Sequence, residues 1–236
     1  MKKYFLTVMM LALMLNAWAV DLPKQGFGVQ IGWAQPILRL NDPSASVPKD
    51  SLVNVTRLNG FKVGVTYDAS YIAGFGSSMG INYTFAGASS KWAKKDISFS
   101  ERTQTIYHEM EVFVDWQYKF EVAKETYLMI YTGPSIQCGL ALNKTSYRRN
   151  EMTDEVTQKR INHYKTDEAD ELLKRLNVTW GVGAGFQYQR YFLRGGYDFG
   201  LINPYKNIKF DGTDRYTRGR LDQWTVKVGV YLWYNE

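Results

Sequence analysis

The chain has little of the chemistry on which most catalytic and metal sites depend. Of its 236 residues one is a cysteine, Cys138, and two are histidines, His108 and His163. A lone cysteine excludes an intramolecular disulfide framework and a thiol-based metal site. Histidine, cysteine and carboxylate residues also show no metal-ligand spacing. The sequence therefore predicts no metal ion and no cofactor.

Long apolar runs are also missing after the N-terminal segment. A membrane-spanning helix needs about 20 consecutive apolar residues, and no later stretch approaches that length. The N-terminus itself has a basic start, an apolar segment over residues 5–15 and an Ala-x-Ala cleavage site ending at Ala19. We predict that 1–19 is a signal peptide and that 20–236 is one exported domain.

The excess of positive charge is small. The formal net charge is +6, and removal of Lys2 and Lys3 with the signal peptide lowers it by two. The remaining basic residues are scattered, whereas a nucleic-acid-binding protein concentrates them on one face. The sequence therefore does not indicate a nucleic-acid partner.

Alternation of apolar and polar residues is what the chain has in abundance. In the last run Val226, Val228 and Val230 lie on one parity, and Thr225 and Lys227 on the other. Successive side chains of a strand point to opposite faces, so each run predicts a strand with one apolar face. Eight such runs cover residues 26–38, 58–68, 74–86, 105–119, 126–141, 177–189, 191–202 and 224–234.

The connections between these runs alternate between long and short. The long, polar ones are 39–57, 87–104, 142–176 and 203–221, and the short ones are 69–73, 120–125 and the step near Arg190. Outer-membrane barrels have long outer loops, short periplasmic turns and girdles of aromatic side chains, and this chain has 12 Phe, 17 Tyr and 7 Trp. We predict an all-β fold: an eight-stranded antiparallel up-and-down barrel in the outer membrane of a Gram-negative bacterium.

The polar parity of the strands carries the candidate functional residues. Eight strands enclose a lumen that side chains just fill. Eight charged residues are predicted to project into it: Lys62, Asp68, Glu109, Glu111, Asp115, Arg194, Asp198 and Lys227. Charges removed from water must be paired, and we expect Asp198 to pair with Lys227. Such a network is either a structural salt-bridge core or a gate or proton path.

Three glycines on one strand share the inward parity. Gly181, Gly183 and Gly185 lack the spacing and the following helix of a nucleotide-binding loop. Small inward residues opposite large ones, such as Tyr131 and Arg194, are typical of a small, filled barrel.

Two alternative functions remain open at this point. A soluble calycin-like barrel that binds a small apolar ligand would have its apolar residues inside. A lipid-modifying barrel enzyme would use His108, which has the lipid-facing parity, with a serine such as Ser89 or Ser90 from the neighbouring loop.

Two segments resemble a known family. Tyr131-Thr132-Gly133-Pro134-Ser135 and the run Gly195-Gly196-Tyr197-Asp198-Phe199-Gly200-Leu201-Ile202-Asn203 resemble the outer-membrane β-barrel domain family of Bacteroidetes, which includes PorT-like and small OmpA- and OmpX-like barrels. The resemblance implies a small outer-membrane barrel without an active site, and its PorT-like members serve a secretion and gliding apparatus. In this chain Asn235 and Glu236 follow the last aromatic residue, Tyr234, which departs from the usual aromatic end.

The preferred function is therefore that of a small, monomeric, non-enzymatic outer-membrane barrel. We expect a structural or envelope-interaction role, and the resemblance adds the role of a PorT-like secretion accessory. The expected partners are outer-membrane lipid and an envelope or secretion-system protein that binds the 142–176 loop. Within that loop the charge pattern of residues 166–176 predicts a short helix.

Overall fold

A computed structural model gives the structure of most of the exported domain. It describes residues 25–40, 57–72, 74–96, 98–164, 173–204, 208–210, 213–215 and 219–235. The predicted signal peptide, 1–19, lies outside the described residues.

The described residues form twelve β-strands. They are β1 (Gln25–Leu40), β2 (Asn59–Ile72), β3 (Phe75–Ser89), β4 (Ala93–Asp96), β5 (Phe99–Ala123), β6 (Thr126–Asn150), β7 (Val156–Asn162), β8 (Leu176–Tyr188), β9 (Tyr191–Gly200), β10 (Ile208–Phe210), β11 (Thr213–Arg215) and β12 (Gly219–Asn235). In these parts of the chain there is no helix with the length and apolarity to cross a membrane.

Eight of the strands close into a ring. Their order is β5-β3-β2-β1-β12-β9-β8-β6, and pairing of β6 with β5 completes the circle. Every neighbouring pair is antiparallel. The predicted eight-stranded antiparallel barrel is therefore confirmed.

The apolar parity of each strand faces outward. Val226 and Val228 are 46% and 52% exposed, whereas Lys227 between them is 7% exposed. An apolar exterior around a polar interior suits a barrel surrounded by acyl chains. It contradicts the calycin-like alternative, which requires the opposite polarity.

The hairpin of β5 and β6 extends farther than the alternation predicts. Both strands have 25 residues, and their outer ends continue past the apolar band. There β4 pairs with β5, and β7 pairs with β6, so that β4, β5, β6 and β7 form a four-stranded outer sheet. Both faces of this sheet are polar. Apolar and polar residues therefore do not alternate along these strands, and the sequence gives no strand signal there.

The segment 142–176 is consequently not the simple loop that the sequence predicts. It contains the end of β6 and all of β7. Of the predicted helix, residues 166–172 lie outside the described residues. Leu173 and the residues after it are not helical, and β8 begins at Leu176.

Candidate functional site

All eight predicted charged residues project into the lumen. Seven of them are buried and Asp198 is partly exposed. They come from four strands: Lys62 and Asp68 from β2, Glu109, Glu111 and Asp115 from β5, Arg194 and Asp198 from β9, and Lys227 from β12. The ring thus gathers residues that are up to 165 positions apart into one polar core.

One cluster is centred on the Asp68 carboxylate, toward the periplasmic end of the barrel. Arg194 donates to Asp68 from Nη2 at 2.7 Å, and Lys119 donates from Nζ at 3.2 Å. The hydroxyls of Ser78 and Tyr231 donate to the same carboxylate. Two buried cations therefore depend on one buried anion.

A second cluster lies nearer the outer end. Lys62 Nζ is 2.8 Å from Glu111 Oε2, and Asn82 donates an amide hydrogen bond of 2.8 Å to the same oxygen. Gln30 donates to Asn82, and Lys62 also donates to Gln223. Each charge here has a partner of opposite charge and neutral partners as well, as a buried ion pair requires.

The expected pair of Asp198 with Lys227 is wrong. Strand register places Lys227 opposite Arg194, and Asp198 opposite Gln223. The described contacts contain no ion pair between them. Instead Asp198 and Lys227 line a common cavity of about 20 Å³, and the Lys227 ammonium lies 5.1 Å from the centre of the Phe113 ring. A cavity of this size holds roughly one water molecule.

The clusters include a residue that sequence reasoning missed. Lys119 is 4% exposed and contacts Asp68 in the lumen. Its parity on β5 is that of Glu109, Glu111 and Asp115, so the signal was present in the sequence. It is the last residue of the predicted strand 105–119, where a side chain is as readily expected in the following turn as in the lumen.

Apolar side chains close the lumen at both ends. Toward the periplasm the rings of Phe192 and Tyr231 lie 4.8 Å apart and pack with Met129. At the outer end a second buried cluster consists of Leu58, Ala86, Tyr107, Leu142, Tyr164 and Leu173. The lumen is therefore a filled, sealed core within the described residues.

Half of the outer cluster comes from a segment that the sequence marks as a polar loop. Leu142, Tyr164 and Leu173 lie within 142–176, and the last two come from the chain between β7 and β8. Burial, with Glu109 nearby, raises the pKa of the Tyr164 phenol above its usual value, so the ring stays neutral. For these three residues the only sequence signal is a single apolar side chain within a polar segment.

The inward glycines make room for large neighbours, as predicted. A Cβ on Gly183 would overlap the Tyr131 ring, and a Cβ on Gly185 would lie 2.9 Å from Met129 Cγ. By contrast, the nearest atom to a Cβ on outward-facing Gly195 is the Thr225 carbonyl oxygen at 3.9 Å.

This difference predicts the outcome of two alanine substitutions. We expect Gly183→Ala to lower the free energy of unfolding by about 1–3 kcal/mol, because the core is overpacked against Tyr131. Gly195→Ala, with open space around it, is the matched control and should change the stability little. Urea unfolding in lipid vesicles measures both. Equal effects of the two substitutions would contradict this description of the lumen.

His108 lies on the outer surface among aromatic side chains. The Tyr83 hydroxyl hydrogen-bonds with Nδ1 of His108, and the Phe85 ring packs edge-on at 5.0 Å. Among the described residues, the two candidate serines contact other groups and not His108. Arg102 donates to the Ser89 hydroxyl, and the backbone N–H of Thr103 donates to the Ser90 hydroxyl.

In the described parts of the chain no three His, Cys, Asp or Glu side chains are grouped so that they could hold a metal ion.

A closed antiparallel ring with an apolar exterior, short turns at one end and a polar core defines a small outer-membrane β-barrel protein. Comparison with known families makes this specific. The family described as outer membrane protein beta-barrel domain matches residues 47–205. The chain belongs to this family and is a protein of the Gram-negative outer membrane.

Solved structures of small outer-membrane barrels are similar to this chain. Ail, the attachment invasion locus protein of Yersinia pestis, is 11% identical, with 89% of this chain and 99% of that chain covered and a TM-score of 0.38. Neisserial surface protein A is 14% identical, with 88% and 97% covered and a TM-score of 0.37. The N-terminal barrel domain of Pseudomonas aeruginosa OprF is 10% identical, with 87% and 98% covered and a TM-score of 0.30. No curated protein matches the chain.

Proposed function

We propose that this protein is a non-conducting, non-enzymatic barrel that acts through its outer sheet on another component of the cell envelope. The observation that carries the proposal is the filled lumen, which contains two ion-paired clusters and is covered by apolar clusters at both ends. Charges that are held by buried partners of opposite charge favour a structural core over a path for ions.

The four-stranded outer sheet is the surface proposed to bind the partner. Within the described residues β7 pairs only with β6, so its other edge presents backbone N–H and C=O groups. Such an edge can bind an extended segment of another chain as an additional strand. Lys159 and Arg160 on β7, with Arg148 on β6, favour a segment that carries acidic residues.

The role of a PorT-like secretion accessory is the specific form of this proposal. Family resemblance in the barrel motifs supports it, and the outer sheet supplies a surface for a secretion-system protein. A strain that lacks this protein should then accumulate secreted proteins inside the envelope, measured by comparing the protein content of medium and periplasm. If the secreted proteins were divided between medium and periplasm as in the wild type, the secretion role would be excluded. An interaction with another envelope component would still be possible, and the crosslinking experiment tests it.

Site-specific crosslinking tests the binding surface. We expect a photoreactive residue at Gln158, on the free edge of β7, to capture one envelope protein in intact cells. The matched control is Val122, which is 55% exposed at the opposite end of the long hairpin. No product at Gln158, or the same product at both positions, would contradict the proposal.

Conductance measurements test the sealed lumen. We expect the purified barrel to give no discrete current steps in planar bilayers, because the ion-paired core leaves no continuous water path. Heat-denatured protein is the control for nonspecific leakage. Steps whose size follows the salt concentration, seen only with folded protein, would show that the lumen conducts.

A further inference from the structure

One carboxylate on the lipid-facing parity is fully buried. Asp222 shares the outward parity of Trp224 and Val226 on β12, yet it is 0% exposed, whereas those two residues are 47% and 46% exposed. A lipid-facing aspartate is costly unless other groups cover and neutralise it. Other side chains must therefore cover Asp222 and balance its charge.

Two arginines and a tyrosine cover this carboxylate. Arg39 donates from Nε to Oδ2 at 2.8 Å, and Arg220 Nε lies 2.8 Å from Oδ1. The Tyr197 hydroxyl donates at 2.6 Å, and the backbone N–H of Gly200 donates at 3.0 Å. Asp222 is thus a fixed base that holds two guanidinium groups side by side on the outer surface.

The cluster retains positive charge and donors for a ligand. Two guanidinium groups face one carboxylate, so one positive charge is not balanced within the cluster. The Arg39 and Arg220 side chains remain 47% and 40% exposed. Each guanidinium carries five N–H donors, and the described contacts use Nε and Nη2 of Arg39 and Nε of Arg220.

The position of the cluster corresponds to the outer headgroup layer. Asp222 precedes Leu232 by ten positions and lies toward the outer end of β12. At a strand tilt of about 40°, ten residues correspond to a height of about 26 Å. The apolar band of such barrels is about 25 Å tall. The Tyr197 ring packs on Phe199 and on Trp224, with ring centres 4.6 Å apart in each pair. These aromatic rings mark the outer interface of the bilayer.

We propose that Arg39 and Arg220 form a binding site for the phosphate headgroup of an outer-leaflet lipid. Guanidinium forks match phosphate oxygens in pairs, and prior fixation by Asp222 lowers the entropy lost on binding. The headgroup phosphate meets the arginines, while the acyl chains extend down beside Trp224 and Val226. This site rests on the outer-membrane location and not on the partner proposed for the outer sheet.

Lipid retention tests the site. The folded barrel is reconstituted in phosphatidylcholine nanodiscs that contain a small fraction of bis-phosphorylated lipid A, transferred to mild detergent and weighed by native mass spectrometry. We expect one lipid A to remain bound to the wild type, and Arg39→Gln or Arg220→Gln to weaken retention by about tenfold. The matched control is Arg149→Gln, which removes an exposed arginine that pairs with Asp154 on the outer hairpin.

Further arms separate phosphate recognition from other causes. Lipid A without phosphates should not be retained, and millimolar inorganic phosphate should not displace bound lipid A, because the acyl chains also contribute. Heat-modifiable migration on gels shows which variants fold. If a glutamine variant does not fold, the double variant Arg39→Lys and Arg220→Lys keeps both charges over Asp222 and should still lose retention, because lysine lacks the planar fork.

Three results would overturn the proposal. They are unchanged retention in the folded arginine variants, equal retention of the dephosphorylated lipid, and full displacement by inorganic phosphate, which would indicate a site for free anions.

Discussion

Replacement of Asp68 by alanine is expected to lower the free energy of unfolding by about 3–5 kcal/mol. The substitution leaves the Arg194 guanidinium and the Lys119 ammonium buried without their shared anion. Removing one member of a buried ion pair costs more than the pair contributes, because the remaining charge is not compensated. Urea-induced unfolding in lipid vesicles, followed by tryptophan fluorescence, measures the change.

An exposed aspartate is the matched control. Asp154 pairs with Arg149 on the outer hairpin, and its side chain is 75% exposed. Asp154→Ala should therefore cost roughly 0.2–1 kcal/mol, since water replaces the lost partner. Adding Arg194→Met to Asp68→Ala should recover part of the loss, because one unpaired buried cation is then removed. Similar costs for Asp68→Ala and Asp154→Ala would contradict the placement of Asp68 in the core.

Replacement of Val228 by arginine should have the next largest effect. Val228 is 52% exposed near the middle of the outward face of β12. A lipid-facing arginine at the bilayer midplane destabilises an outer-membrane barrel by about 2–4 kcal/mol. We expect a loss of this size in the same unfolding measurement, and a smaller yield of folded barrel when the chain inserts into vesicles.

The comparison for Val228 is an arginine placed in water. Met152 is 79% exposed in the turn between β6 and β7. Met152→Arg should change stability by less than about 0.5 kcal/mol, which is usual for surface substitutions. If both arginines were tolerated equally, the face that carries Val228 would not contact acyl chains.

The barrel itself was predictable because membrane strands obey a strict period of two. Val228 and Lys227 must lie on opposite faces of any strand, and only one of them is stable against lipid. Repetition of this pattern in eight runs predicted the number of strands, their direction and the inward position of all eight lumen charges. The period disappears where both faces meet water, so the outer ends of β5 and β6 and the whole of β7 were missed.

The sequence alone thus determined which residues face lipid and which face the lumen, because parity along a strand is a local property. Only the tertiary structure decided which lumen charges meet. Register sets Lys227 beside Arg194 instead of Asp198, and closure of the ring brings Arg194 of β9 to Asp68 of β2. The same closure seats Asp222 beneath arginines that lie 181 positions apart in the chain. Such contacts depend on the stagger between strands and on long side chains that cross the lumen or the outer surface. The alternation of apolar and polar residues along one strand specifies neither of them.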